Sequence, residues 1–402
     1  VSLVCRLYVH MPDPSTQPPV ATAKRLARFG ETIFSEISRL ALQHSAVNLG
    51  QGFPDFDGPD FIKQAAIAAI DRGDNQYAPM PGIQALRETI AECYEAETGQ
   101  EIDPGDWITV TSGCTEAIAA CLVGLTGPGD EVILLEPFYD SYPACLAMTD
   151  AVPRFLTLRP PSFEIDMDAL RALVTDRTRI ILLNTPHNPC GRVYSRVELE
   201  AVAALAIEHD LIVIMDEVYD RLVFEGEHVY MASLPGMAER TISLRSLGKT
   251  FSLTGWKIGW AIAPPNLTNG IRAAHQFFTY AVSTPLQHGT VAALKAPATY
   301  FEEFVAGYRA RRDRLCDALD DVGFKVFRPE GTYFVLADHS AFGFEDDVAF
   351  CRHLIEHVGV AAIPPSAFYH DPTEARSLVR FAFCKTDQVL DEAINRLQSL
   401  KS

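Results

Sequence analysis

Positive charge is what this chain is short of. Its 402 residues carry 34 Lys and Arg against 52 Asp and Glu, a formal net charge of −18. That balance repels phosphate backbones and anionic lipid surfaces, so neither nucleic acid nor a membrane is expected as a partner. No basic helix-turn-helix is appended that would reverse the expectation. Long apolar runs are missing too, since none approaches the roughly 18 residues of a membrane-spanning helix. The nine cysteines, at 5, 93, 114, 121, 145, 190, 316, 351 and 384, are odd in number and scattered. They form no Cys-x-x-Cys or Cys/His metal spacing, so no metal ligand and no disulfide framework is expected. Reduced thiols fit a cytosol-like compartment, and a cytoplasmic location is the expectation. Residues 1–10 lack the apolar core and cleavage site of a signal peptide. No internal repeat is visible. The glycine-rich run Gly124-Leu-Thr-Gly127-Pro-Gly129 is no dinucleotide fingerprint, because it follows a helical pattern, contains proline and has the wrong spacing.

What is present is globular. With 48% hydrophobic and 21% charged residues the chain is not disordered, and its length suits one large domain with a satellite, or two ordinary domains. Residues 11–22 read as a Pro-rich tail or arm. Residues 24–43 read as one amphipathic helix carried by Leu26, Phe29, Ile33, Ile37 and Leu40. Helices are expected at 60–72 and 83–96. Beyond a short strand at 107–111, buried-type strands at 131–135, 154–158, 179–184, 211–216 and 241–245 alternate with helices at 140–149, 166–175 and 195–209. Val/Ile/Leu strands alternating with helices predict an α/β domain whose mainly parallel sheet is covered on both faces. After about residue 300 the pattern changes to a long charged helix stopped by Gly323, short strands at 324–327, 332–338 and 378–383, a helix at 346–357 and a C-terminal helix at 387–400. The expected division is a tail (1–22), an N-terminal helix of a small domain (23–48), a large domain (49–296) and a C-terminal α+β small domain (297–402).

Ligand sites in parallel α/β sheets lie at the carboxyl ends of the strands, and several motifs fall there. Ser112-Gly113-Cys114-Thr115 joins a strand to a helix N-terminus, a geometry that presents free N–H groups to an anion; an ordinary capped turn reads the same way. Asp216 closes the run Leu-Ile-Val-Ile-Met, and a carboxylate there is costly unless a cation or hydrogen bonds meet it; capping a following helix is the plainer alternative. Asn184-Thr-Pro-His187-Asn188-Pro-Cys190-Gly191 ends another strand in a rigid turn, in which His187 reads as a polar turn residue rather than a general base. The Gly/Pro segment Asn48-Leu-Gly-Gln-Gly52-Phe-Pro lets backbone approach a ligand, or simply connects. Ser246-Leu-Gly-Lys249-Thr-Phe-Ser-Leu-Thr-Gly-Trp-Lys257-Ile-Gly-Trp follows the last strand. A lysine with an ordinary pKa of about 10.4 reacts as a nucleophile only where burial or neighbouring cations lower it. Lys249, with Lys257 and Arg245 near it in sequence, is a candidate of that kind, although a solvated loop lysine carries the same local signal.

Taken together these segments resemble fold-type I pyridoxal-phosphate (PLP) enzymes of the class I/II aminotransferase family. The resemblance runs from about residue 30 to the end and covers at least six motifs in family order. It implies the aspartate aminotransferase-like fold, PLP as cofactor and a homodimer. In this chain Gly248 and Lys257 replace the commoner Ser and Arg, a version similar to the methionine aminotransferase and kynurenine aminotransferase (glutamine transaminase K) branch. The resemblance implies that Lys249 is the catalytic lysine that carries the cofactor. It implies Asp216 at the ring nitrogen, Tyr219 and Asn188 at the ring hydroxyl, and Tyr139 stacked on the ring. Gly113, Cys114, Thr115, Ser246 and Lys257 would surround the phosphate, with Tyr77 reaching it from the neighbouring subunit. Gly52, Asn188 and Arg380 would face the substrate; Arg380 suits a carboxylate fork, with Arg376 equally available. Tyr280 and Phe34 are the candidate wall for an apolar or aromatic side chain.

The activity so implied is a ping-pong transfer of the amino group of a methionine-like, glutamine-like or aromatic amino acid, kynurenine included, to a 2-oxo acid. Two rivals share the motifs: a PLP-dependent C–S β-lyase, and a PLP-binding regulator or inactive scaffold.

Overall fold

The computed structural model describes residues 23–27, 29, 30 and 32–401, so the expected tail 1–22 lies outside them. Twelve strands occur among these residues. They are β1 (Val47–Asn48), β2 (Ile108–Thr111), β3 (Glu131–Glu136), β4 (Val152–Thr157), β5 (Thr178–Asn184), β6 (Ile212–Asp216), β7 (Thr241–Ser246), β8 (Gly259–Ile262), β9 (Lys325–Phe327), β10 (Phe334–Asp338), β11 (Val360–Ala361) and β12 (Leu378–Ala382).

Seven strands form one sheet in the order β2-β8-β7-β6-β5-β3-β4, and only β8 runs against its neighbours. The period of two explains its burial on both faces. Val132, Leu134, Ile180, Leu182, Ile214 and Ile242 pack into one hydrophobic cluster, while the alternate residues Ile133, Leu135, Ile181, Leu183, Val213 and Met215 pack into another. β12-β10-β9 form a small antiparallel sheet, and β1 pairs in parallel with β11, bringing the two ends of the described chain together. The helix Ala298–Asp321 leads into the small sheet.

The N-terminal helix is shorter than expected. It spans Ile33–Gln43, with Thr32 accepting from Ser35 N at 3.3 Å as its cap, and a separate 3-10 turn covers Lys24–Leu26. Apolar spacing through Leu26 and Phe29 suggested one continuous helix, but a Gly-Glu-Thr stretch with a capping threonine starts it later. The helix expected at 346–357 is α-helical over Asp347–His353 and finishes as a π-helical turn. The helices Pro265–Phe278 and Thr284–Leu294 and strand β8 had no expectation attached.

Candidate active site

The carboxyl ends of β2, β5, β6 and β7 surround a cavity of about 270 Å³. At its floor β6 delivers Asp216, which is 4% exposed. Tyr142 Oη donates to Asp216 Oδ2 at 2.6 Å, Cys114 Sγ lies 3.8 Å from Oδ1, and Val218 N donates at 3.4 Å. No cation pairs with this carboxylate among the described residues, and burial pushes its pKa up. No helix follows Asp216, so it caps none.

Lys249 reaches the cavity from the turn Leu247–Thr250, which follows β7 directly. Its ammonium stands 5.8 Å from the Tyr219 ring centre and 5.9 Å from that of Tyr333. Burial lowers its pKa, and the Lys257 charge acts in the same direction against Cys384 and Asp216. Arg245, offered by the sequence as a second nearby cation, turns elsewhere. It is buried in a network with Glu97, Glu217 and Asp220 and lines a separate, smaller cavity.

At one end of the main cavity the helix Gly113–Leu125 begins. The Gly113, Cys114 and Thr115 amides have no acceptor among the described residues, and Ser112 supplies no side-chain cap. Gly113 has φ +74°, and a Cβ there would sit 3.1 Å from Lys257 Nζ. Lys257 itself adopts a left-handed conformation, φ +52°, that folds its side chain back over these amides. Ser246 and Thr254 line the same end.

At the other end hydrogen bonds link the carboxyl ends of β5 and β6 to the middle of β12. Asn184 Nδ2 donates to Asp216 O at 2.8 Å, Asn188 N to Asn184 Oδ1 at 2.7 Å, and Arg380 Nη1 to Asn188 Oδ1 at 3.3 Å. Arg380, on β12, is 2% exposed and stands behind Asn188 rather than in the cavity lining. Phe334, Phe34 and Phe368 surround its guanidinium at 4.3, 5.2 and 5.2 Å, its Nε has no partner, and burial brings its pKa down to about 10. Arg376 is exposed, which separates the two arginines that the sequence left equal.

Gly52, Gly113, Cys114, Thr115, Tyr139, Asn188, Asp216, Tyr219, Ser246, Lys249 and Lys257 therefore share one cavity. Phe34 stands at Arg380, outside the lining. Tyr77, 85% exposed, and Tyr280 meet edge-on at 5.8 Å on the surface, so this chain by itself does not bring Tyr280 and Phe34 to a common wall. His187 departs from its reading as a polar turn residue: it is 2% exposed, its Nδ1 has no partner, and burial lowers its pKa to about 3. The sequence reading missed Tyr142 and Asn184, although Tyr142 follows Tyr139 at helical spacing and Asn184 closes β5. It also missed the Cys114 thiol at Asp216.

These residues fit PLP. The unpaired carboxylate of Asp216 suits a protonated ring nitrogen, and the bare amides beside Lys257 suit a phosphate.

Three comparisons agree with this. The family description "Aminotransferase class I and II" matches residues 44–397. A probable N-succinyldiaminopimelate aminotransferase of Mycobacterium tuberculosis is 48% identical over 391 residues, 94% of this chain and 98% of that protein. The methionine aminotransferase of Escherichia coli is 41% identical over 386 residues, 96% of this chain and 100% of that protein. The solved structure of N-succinyldiaminopimelate aminotransferase from Mycobacterium tuberculosis superposes with a TM-score of 0.92, covering 94% of this chain and 100% of that one at 48% identity.

Proposed function

Because the chain belongs to the class I and II aminotransferase family, and is therefore a PLP-dependent transaminase acting on amino and 2-oxo acids, we propose residue roles and a donor class for it. The observation that carries the reading is the convergence of Lys249, Asp216 and the bare Gly113–Thr115 amides on one cavity, with Asn188 at its far end and Arg380 hydrogen-bonded behind it. When bound, PLP supplies a sink for the electron pair released at the substrate α-carbon.

Lys249 is the catalytic residue. Its lowered pKa leaves the amine neutral at lower pH than an ordinary lysine, able first to hold the cofactor and then, once displaced, to take the α-proton and return it. Asp216 keeps the ring nitrogen protonated, and Tyr142 holds that carboxylate in place. The Gly113, Cys114 and Thr115 amides, Ser246 and Lys257 take the phosphate. Tyr139 packs on the ring, and Asn188 and Tyr219 meet its hydroxyl. Arg380 takes the substrate carboxylate with Asn188 and the Gly52 backbone, and its aromatic surroundings exclude water from that pair. Residues 23–48 and 297–402 are read as the small domain and 49–296 as the large one. A homodimer, with Tyr77 and Tyr280 turned towards the partner subunit's cavity, accounts for two exposed aromatics beside an incomplete wall.

The donor is an apolar, sulfur-containing or aromatic amino acid. Phe53, Ile118, Val218 and Ile258 line the cavity, whose lining cations are Lys249 and Lys257, both already assigned to the cofactor. A second reading, N-succinyldiaminopimelate as donor, is favoured by the relative of that name at 48% identity.

Holoenzyme mixed with one amino acid and no oxo acid tests both. Conversion of the long-wavelength cofactor band to a shorter-wavelength one by L-methionine or L-kynurenine supports the first reading. Conversion by the succinylated diamino acid alone overturns it in favour of the second. Release of pyruvate and ammonia from a cysteine conjugate, without band conversion, identifies a β-lyase.

A further inference from the structure

The loop that follows β1 is held in an uneven way. Every carbonyl from Leu49 to Phe53 has a donor from the C-terminal part of the chain. Leu49 O accepts from Ala382 N at 2.7 Å, Gly50 O from Arg380 Nη2 at 2.9 Å and Gly52 O from Tyr333 Oη at 2.7 Å. Gln51 O and Phe53 O both accept from Lys385 Nζ, at 3.2 and 3.0 Å. The Gly50 and Gln51 amides turn back to Asn48 Oδ1. Those of Gly52 and Phe53 donate to nothing among the described residues, and both residues line the cavity.

Lys385 is the costly member of this set. The residue is 4% exposed, and its ammonium has no carboxylate partner among the described residues, only the two carbonyls and the Phe53 ring, 5.2 Å away. Burying a cation without a counter-ion is expensive, and a tether alone does not require one, as the neutral donors Tyr333 and Ala382 demonstrate on the same loop. The charge has an effect they lack. In a planar trans peptide the C=O and the next N–H point in opposite directions. Holding Gln51 O on Lys385 therefore turns the Gly52 N–H away from Lys385, on a residue whose other side faces the cavity. A charged donor on the carbonyl also polarises the peptide and strengthens its N–H. Phe334 packs against this glycine so closely that a Cβ there would lie 2.5 Å from its Cζ.

We propose that Lys385 is a positioning residue for the substrate carboxylate: by capturing the carbonyls of Gln51 and Phe53 it presents the Gly52 N–H to the cavity as an oriented, polarised donor. This rests on the reading of the cavity as the amino- and oxo-acid site.

The test uses holoenzyme carrying Lys385→Met, which removes the donors, or Lys385→Gln, which keeps a donor and drops the charge. Band conversion is titrated with L-methionine or, where the unmodified enzyme gives no conversion, with L-kynurenine and then N-succinyl-LL-2,6-diaminopimelate. Loss of a charge-assisted hydrogen bond raises the half-saturation concentration roughly ten-fold or more in Lys385→Met, with a much smaller change in the limiting rate and in cofactor affinity. Hydrogen exchange of residues 49–54 quickens. Lys385→Gln shows the same half-saturation defect without a loss of melting temperature. Unchanged half-saturation in a variant that melts lower reduces Lys385 to a tether and overturns the proposal, and so does a proportional loss of cofactor affinity. Arg380→Lys is the control: if it too leaves half-saturation unchanged, the fault lies in the reading of the site.

Discussion

Replacing Tyr142 by Phe deletes one oxygen and no volume, and so isolates a single hydrogen bond. In the folded protein that oxygen donates to Asp216 Oδ2 at 2.6 Å, the shortest contact the buried carboxylate makes. A hydrogen bond to a charged group contributes about 1.5–3 kcal/mol. Burial already holds the folded-state pKa of Asp216 above its unfolded value, and Tyr142 opposes that rise. The variant carboxyl therefore titrates higher still. A group whose folded pKa is raised contributes its full stability at low pH and loses it as pH climbs through that pKa. The apoenzyme variant is thus less stable than the parent by the full amount above both folded pKa values, and the gap closes as pH falls through them. Thermal melts of the two apoenzymes in parallel, from neutral pH downward, read this as a difference of a few degrees that narrows on acidification. Cofactor affinity falls in the same variant, because the carboxylate meant for the ring nitrogen is no longer held. A melting difference that is constant with pH, or absent, together with unchanged cofactor affinity, refutes the argument that Tyr142 holds Asp216 as a charged, oriented group.

Two further outcomes follow from the same geometry. Lys257→Met removes a charge that lowers the pKa of Lys249, so the pH midpoint for cofactor attachment, followed by absorbance, moves upward. A midpoint that stays put while affinity falls would confine Lys257 to phosphate binding. Glu97→Gln strips the carboxylate shared by Arg221 and Arg245, the latter 5% exposed. Glu217 and Asp220 still face Arg245, so the loss stays below the roughly 3–5 kcal/mol of a fully uncompensated buried charge, and denaturant unfolding detects it as a lower midpoint. Since this network lies in a separate cavity, the half-saturation for the amino donor changes far less than the stability.

The amino-acid sequence determined the layout of the sheet and the positions of its reactive ends. Runs such as Ile-Val-Ile-Met are strands because a sheet covered on both faces buries nearly all of them, and the polar residue that closes each run, Asp216 or Asn184, is then fixed at the carboxyl edge. Lys249, Asn188 and the Gly113 turn are legible for the same reason: each is local to a strand end. β8 was not legible, since four residues between a loop and a proline-started helix carry too little pattern to declare a strand. Nor was the late start of the N-terminal helix, where apolar spacing ran on past its cap.

Only the tertiary structure decided which groups meet across the chain. Cys114 and Asp216 are 102 residues apart, Tyr333 and Gly52 281, Lys385 and Gln51 334. Nothing local to either partner encodes such a pairing. The choice between Arg380 and Arg376 was tertiary as well: β12 carries one guanidinium inward among three phenylalanines, while the turn before it leaves the other in water. Local pattern fixes which residues stand at a strand's end, because backbone hydrogen bonding and burial act over a few residues. The charge state and orientation of those residues depend on desolvation and on partners that distant segments bring in, so they exist only in the folded chain.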